Sequence, residues 1–190
     1  MTLALNGLKK LCAVLFLSHS VISYASLSIY TDSTTFNTEI SGYSASILDF
    51  DSAIAGNLIA DDSALDGITF DYDALASFGV SMQIRNDYSA YSGSNYLGTD
   101  DGGAFQGGDS FSLSFGASNA IGLFFLSGDA LFDGDISLTV GTTTASLLVE
   151  GNLEPDLYDG SFVYFLGLVD DSNTFSSAAV SSPGCDGCFL

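Results

Sequence analysis

Basic residues, histidine and tryptophan are what this 190-residue chain has least of. There is no Trp, one His (His19) and three bases, Lys9, Lys10 and Arg85, against 23 acids, for a net charge of −20. If residues 1–25 are removed on export, as argued below, one base faces all 23 acids, the net charge is −22, and neither His nor Lys remains. Such a chain can hold no Ser-His-Asp triad, no Cys-His pair, no His-ligated zinc and no Schiff-base Lys. Nucleic acid is excluded as a partner, because phosphate binding needs several Lys or Arg to release counterions. Anionic membrane surfaces are disfavoured for the same reason. Charged residues are 14% of the chain, well below the usual ~25%, and nearly all are of one sign. Only two prolines occur, Pro155 and Pro183, so there is no Pro-rich linker.

What is present is apolar and patterned. Hydrophobic residues make up 47% and aromatics 13%, which argues against a disordered acidic tail. Residues 26–190 suit a single domain, which at about 165 residues buries roughly 70% of its unfolded surface.

The amino terminus has the three parts of an export signal. Lys9 and Lys10 form a positive start, Leu11 to Leu17 an apolar run, and Ser23-Tyr24-Ala25 offers small residues at −3 and −1 of a cut before Ser26. The apolar run is well short of the ~20 residues that span a bilayer, and no later stretch reaches that length. Cys12 precedes the run, whereas a lipid-bearing Cys would follow it. The expectation is a signal peptide over 1–25, secretion, and no membrane insertion after cleavage.

From residue 26 onward the period is two. Phe111, Leu113 and Phe115 alternate with Ser, as do Ile136, Leu138 and Val140 with Ser and Thr. Val80, Met82 and Ile84 follow the same rule, as do Ile68, Phe70 and Tyr72, Leu27 and Ile29, and Leu48 and Phe50. One apolar and one polar face indicate half-buried antiparallel strands. Ile121–Leu126 and Phe162–Val169 are apolar without alternation and are expected as central strands covered on both sides. Gly/Asp/Ser/Asn clusters at 92–95, 100–103 and 127–129 mark turns. One helix is expected, capped by Asp32 or Ser33, with Phe36 and Ile40 on one face and Gly42 as its C′ residue. Short strands at this spacing predict an all-β, antiparallel two-sheet sandwich with one short N-terminal helix.

The order of these segments carries a resemblance. The short helix with Phe36 leads to Leu48-Asp49-Phe50-Asp51, Gly67-Ile68-Thr69-Phe70 and Ser94-Asn95-Tyr96-Leu97-Gly98-Thr99-Asp100-Asp101-Gly102-Gly103. Gly108-Asp109-Ser110-Phe111-Ser112-Leu113-Ser114-Phe115 and Ala120-Ile121-Gly122-Leu123-Phe124-Phe125 follow. Over nearly the whole exported chain this resembles the secreted bacterial β-sandwich exoproteins of the PEP-CTERM-associated type. The resemblance implies a jelly-roll-like sandwich exported to the envelope or matrix, without a defined activity. The chain lacks that group's Val-Pro-Glu-Pro box, apolar helix and basic tail. It is therefore expected either to be freely secreted or to be truncated at the carboxyl end.

Aspartate is the one abundant ionisable residue. Pairs and clusters fall at Asp61-Asp62, Asp71 and Asp73, and Asp170-Asp171. Two sets have the best shape for a calcium site built of hard oxygens, Asp129/Asp133/Asp135 and Asp100/Asp101/Asp109; neither fits an EF-hand loop. The alternative is solvated surface charge serving solubility. Either no cofactor or calcium is expected.

Cys185-Asp186-Gly187-Cys188 is read as a local disulfide in an oxidising compartment, since two Cys without His cannot complete a zinc site. Tyr88, Tyr91 and Tyr96, with Asn86, Asp87 and Asn95, occupy one polar stretch where aromatic faces and amides suit a sugar. Ligand-binding residues are thus Tyr88, Tyr91, Asn95 and Tyr96, with an extracellular polysaccharide as partner; the alternative is loop packing with wet hydroxyls. A glycoside hydrolase or lyase would need two opposed carboxylates. Only Glu39, Glu150 and Glu154 join the Asp set, with no ordered acidic motif. The reading is a non-enzymatic matrix or envelope protein, with a carboxylate-dependent hydrolase or lyase as the rival. Oligomeric state is not legible in the sequence.

Overall fold

A computed structural model describes residues 27–73, 75, 78–101, 108–149, 154 and 160–183. The segment read as an export signal and the Cys185/Cys188 pair read as a disulfide lie outside the described residues. The elements run β1 (Ser28–Tyr30), α1 (Ser33–Glu39), a 3-10 turn (Ile40–Gly42), β2 (Leu58–Ile59), β3 (Ser63–Leu65), β4 (Ile68–Asp71), β5 (Met82–Arg85) and β6 (Tyr96–Thr99). They continue as β7 (Ser110–Ser118), β8 (Ala120–Ser127), β9 (Ser137–Val140), β10 (Thr143–Ser146), β11 (Phe162–Val169) and β12 (Phe175–Ser181).

The strands form three antiparallel sheets with orders β10-β9-β12-β7-β4-β3, β1-β11-β8 and β2-β5-β6. The pairs β7·β12, β8·β11 and β9·β10 are nested in sequence and fall alternately in the six-stranded and a three-stranded sheet. This alternation of nested pairs between sheets is consistent with an all-β sandwich.

One core joins all three sheets. Phe70, Phe111, Leu113, Leu138, Val140 and Val180 come from the six-stranded sheet, Phe125, Tyr164, Leu166 and Leu168 from β8 and β11, and Met82 and Ile84 from β5. Phe70, Met82, Ile84, Phe111, Leu113, Leu138 and Val140 are the residues the period-two pattern places inward, because successive side chains in a strand point to opposite faces. Each fully buried Leu, such as Leu138, Leu166 or Leu168, is worth about 1.5–3 kcal/mol. Buried Tyr164 keeps its hydroxyl paired by accepting from Leu131 N–H at 3.0 Å.

β11 is central and covered on both faces, as its unbroken apolar run predicts. Leu166 and Leu168 enter the main core, while Phe165 and Val169 form a second cluster with Phe36 of α1. Gly122 and Gly167 face each other across β8 and β11. A Cβ on either would collide with the Phe36 ring, at 2.9 Å from Gly122 and 2.6 Å from Gly167. The paired glycines form the window through which the helix docks. Asp32 caps α1 by accepting from Thr35 N–H at 2.6 Å, and the buried Glu154 carboxylate accepts from Ser33 N–H at 2.8 Å.

Four expectations change. The Ile121–Leu126 segment lies in β8, an edge strand of its sheet rather than a central one, and Phe124 is 37% exposed. Of this run only Phe125 is buried, because an edge strand has a neighbour on one side alone and its outer face is covered only in part. Leu48 and Phe50 belong to an irregular segment and turn, although both pack on the core. Phe50 has φ 60°, which no strand tolerates. Gly42 ends the 3-10 turn without a positive φ, so it is not a left-handed C′ glycine. Ile29 pairs with Leu168 on the main-core face, but β1 is the edge strand and leaves it half exposed.

Candidate functional site

The ten residues between β5 and β6 carry the Tyr-rich stretch. At its base, Arg85 sits at the end of β5 with its Nε 2.9 Å from Asp87 Oδ1, its Nη2 on Asp87 Oδ2 and its Nη1 2.8 Å from the Thr99 carbonyl. The Tyr96 hydroxyl donates to the same Asp87 Oδ1 at 2.7 Å. The Arg85 hydrogen bonds, aided by that hydroxyl, hold the Asp87 carboxylate well below its usual range. The Asp87 hydrogen bond raises the Arg85 guanidinium, and burial with the Asp87 contact raises the Tyr96 hydroxyl. The pair therefore stays ionised throughout the neutral range. Beside it lies an open groove of about 320 Å³ lined by Ala55, Gly56, Gln83, Ile84, Arg85, Asn86 and Asp87, at the small end of ligand-sized clefts of ~300–1,000 Å³.

The loop is anchored at its far end. Asp51 accepts from Ser94 N–H at 2.8 Å and Asn95 N–H at 3.1 Å, which lowers its carboxyl. Asn95 donates through Nδ2 to the Phe50 and Ala53 carbonyls at 3.1 and 2.9 Å. Gly93, at φ +64°, leaves room for Asp51, whose Oδ2 would lie 1.5 Å from any Cβ there.

Between these anchors the tyrosines divide. Tyr88 is 60% exposed and Tyr91 41% exposed. The Tyr91 ring stacks on Phe124 of β8, centroids 3.7 Å apart and planes 19° from parallel. Phe124 rests on Phe165 at 5.0 Å, Phe165 on Phe36 at 5.2 Å, and Phe36 on Tyr30 at 5.8 Å. Asn95 and Tyr96, also read as ligand-binding, are buried behind this face and tie the loop down. Phe124 is a site residue that the sequence reading missed, because its apolar run points to a covered strand.

The two Asp sets read from the sequence are not drawn together. Asp100 accepts from Ser81 N–H at 2.9 Å, and Asp101 from the Thr99 hydroxyl at 2.7 Å. The Asp109 carbonyl accepts from Ser182 N–H at 2.9 Å. Asp133 accepts from Val149 N–H at 2.8 Å, and buried Asp135 from Phe132 N–H at 2.6 Å. The Asp129 backbone N–H donates to the Ser127 hydroxyl at 3.4 Å. Asp101 and Asp135 bond within their own turns, as Asp commonly does, whereas Asp100 and Asp133 tie their loops to backbone donors far away in sequence.

Among the described residues, the one set of three carboxylates with ligand oxygens within 4.8 Å of one another is Asp61, Asp71 and Asp73. The β3–β4 hairpin makes it. Asp66 and Gly67, at φ 49° and 84°, form a two-residue turn that pairs Ser63 with Phe70, and Asp61 accepts from Tyr72 N–H at 2.7 Å. An Asp-Gly between apolar residues is a hairpin signal, and applying it here would have folded Asp61 onto Asp71 and Asp73. The hydrogen bond to Asp61 and the charges of Asp61, Asp71 and Asp62 push the Asp73 carboxyl above its usual value. Three hard oxygens at this spacing can share one calcium-sized cation.

Of the glutamates, Glu154 is spent on capping α1 and Glu39 stands exposed beside Tyr30, while Glu150 lies outside the described residues. Comparison with protein-family models, with curated proteins and with solved structures finds no match for this chain.

Proposed function

We propose that this chain is an exported, non-enzymatic β-sandwich of the cell envelope or matrix. It holds extracellular polysaccharide on the Tyr88/Tyr91/Phe124 face and takes up calcium at Asp61, Asp71 and Asp73. The observation that carries the binding reading is the Tyr91–Phe124 stack. Two aromatic rings stand partly exposed and stacked, with Phe124 supported by Phe165, and the loop that carries Tyr91 begins at a groove lined in part by Gln83 and Asn86. Sugar rings pack their C–H faces on such surfaces while amides bond the hydroxyls. An exposed aromatic patch of this kind is a recognised mark of an interaction site.

Native gels cast with soluble polysaccharides test it. The wild-type protein should be retarded by at least one polymer, and Tyr88→Ala and Tyr91→Ala should each restore most of the free mobility. Equal retardation of wild type and both variants would remove the face from consideration, and release of reducing ends would replace binding by hydrolysis. For calcium, saturation at a hundred times the dissociation constant stabilises the fold by about 2.7 kcal/mol. In a domain of this size that is a rise of roughly 5–11 °C in melting temperature. Asp71→Asn should abolish the rise, and matched sodium chloride should not reproduce it. Export is tested by amino-terminal sequencing of protein from the medium, which should begin near Ser26.

A further inference from the structure

We infer that the polysaccharide accepted on this face is uncharged, neither a uronic or sulfated glycan nor an amino glycan. This rests on the binding reading above and names its ligand class. Among the described residues Arg85 is the one base, and its guanidinium is committed to Asp87 and the Thr99 carbonyl. No cation is left over to meet a carboxylate or sulfate on a sugar. The anion at the groove, Asp87, is likewise met by Arg85 and by the Tyr96 hydroxyl. The remaining groove residues, including Gln83, Asn86 and Ile84, are uncharged. Recognition is left to ring faces, amides and backbone.

The surroundings strengthen the selection against anions. The whole chain carries −20, so an acidic polymer approaching the face meets repulsion screened only beyond about 8 Å at physiological salt. An amino glycan would be attracted, but by acids spread over the entire surface. Its binding would not depend on Tyr88 or Tyr91 and would collapse with added salt.

The test uses the full chain in native gels containing a neutral glucan or galactomannan, alginate, or chitosan, at low and at physiological salt. Wild type, Tyr88→Ala and Tyr91→Ala run side by side, and circular dichroism confirms that the variants fold. The expected result is Tyr-dependent retardation by a neutral polymer, changing less than about twofold with salt. Retardation by alginate should be at least about tenfold weaker at low salt. Tyr-dependent retardation by alginate or chitosan at least equal to that by the neutral polymers would overturn the ligand class while leaving the binding face intact. If no polymer is retarded in a Tyr-dependent way, the binding reading and the ligand class fail together.

Discussion

Adding a single methyl group at Gly167 tests whether α1 is held by the glycine window. Gly167 lies outside the left-handed region, so alanine is conformationally allowed and the cost comes from space alone. The new Cβ would sit 2.6 Å from Phe36 Cδ2, 2.9 Å from Phe36 Cε2 and 3.0 Å from Phe165 Cε1. The Phe36 ring must leave its seat or the strands must part, and overpacking of this kind costs about 1–3 kcal/mol. At roughly 2–4 °C per kcal/mol, Gly167→Ala should melt about 2–12 °C below wild type. Phe36→Ala should cost about 3–5 kcal/mol, since the ring is 6% exposed and joins the second cluster. In the Phe36→Ala background only the 3.0 Å approach to Phe165 Cε1 remains, and that ring gains room to shift, so Gly167→Ala should cost less than about 1 kcal/mol there. The coupling in this cycle should be about 1–3 kcal/mol. Urea titrations followed by tyrosine fluorescence and far-UV circular dichroism measure all four proteins; with nine Tyr and no Trp, tyrosine is the natural reporter. The packing argument is refuted if Gly167→Ala leaves the wild type unchanged, or destabilises the Phe36→Ala protein as much as the wild type.

Two further expectations concern pH and have opposite signs. Asp73 has its folded pKa raised, so its deprotonation at neutral pH opposes folding. Asp73→Asn should raise the melting temperature at pH 7, and the gain should vanish below about pH 3, where the wild-type carboxyl is protonated in both states. A destabilised Asp73→Asn protein at pH 7 without calcium would contradict the repulsion. Asp51 and Asp170 have folded pKa values lowered by backbone N–H groups of Ser94 and Asn95, and of Ser172 and Asn173. The stability they supply is present above the unfolded value of about 3.9 and is lost as pH falls through the folded value. Asp51→Asn should therefore destabilise at pH 7, and its difference from wild type should shrink steadily as pH falls below about 3.9; a difference that does not shrink with acid would mean the charge is not what holds the loop.

What could be read along the chain was whatever depends on near neighbours. Alternation in Phe111/Leu113, Met82/Ile84 and Ile136/Leu138/Val140 gives strands and their inward faces, because side-chain direction follows the backbone repeat. Asp32 as a cap and Phe36 as the buried helix residue are equally local. Tyr88 and Tyr91 are exposed as their polar surroundings suggest.

Pairing across the sheets decided the rest. Whether an apolar run becomes the centre of a sheet, as β11 does, or its edge, as β8 does, depends on which strands dock beside it. Asp61 meets Asp71 and Asp73 only once a hairpin closes, whereas Asp133 and Asp135, closer in sequence, turn to separate backbone donors. Phe124 of β8 meets Tyr91 of the loop between β5 and β6. The Gly122–Gly167 window exists because two strands lie in one register and a helix comes to rest on them. Composition and period are properties of the chain. Contact between residues far apart in sequence is a property of the packed state, since the free energy that selects it comes from burying surfaces against each other.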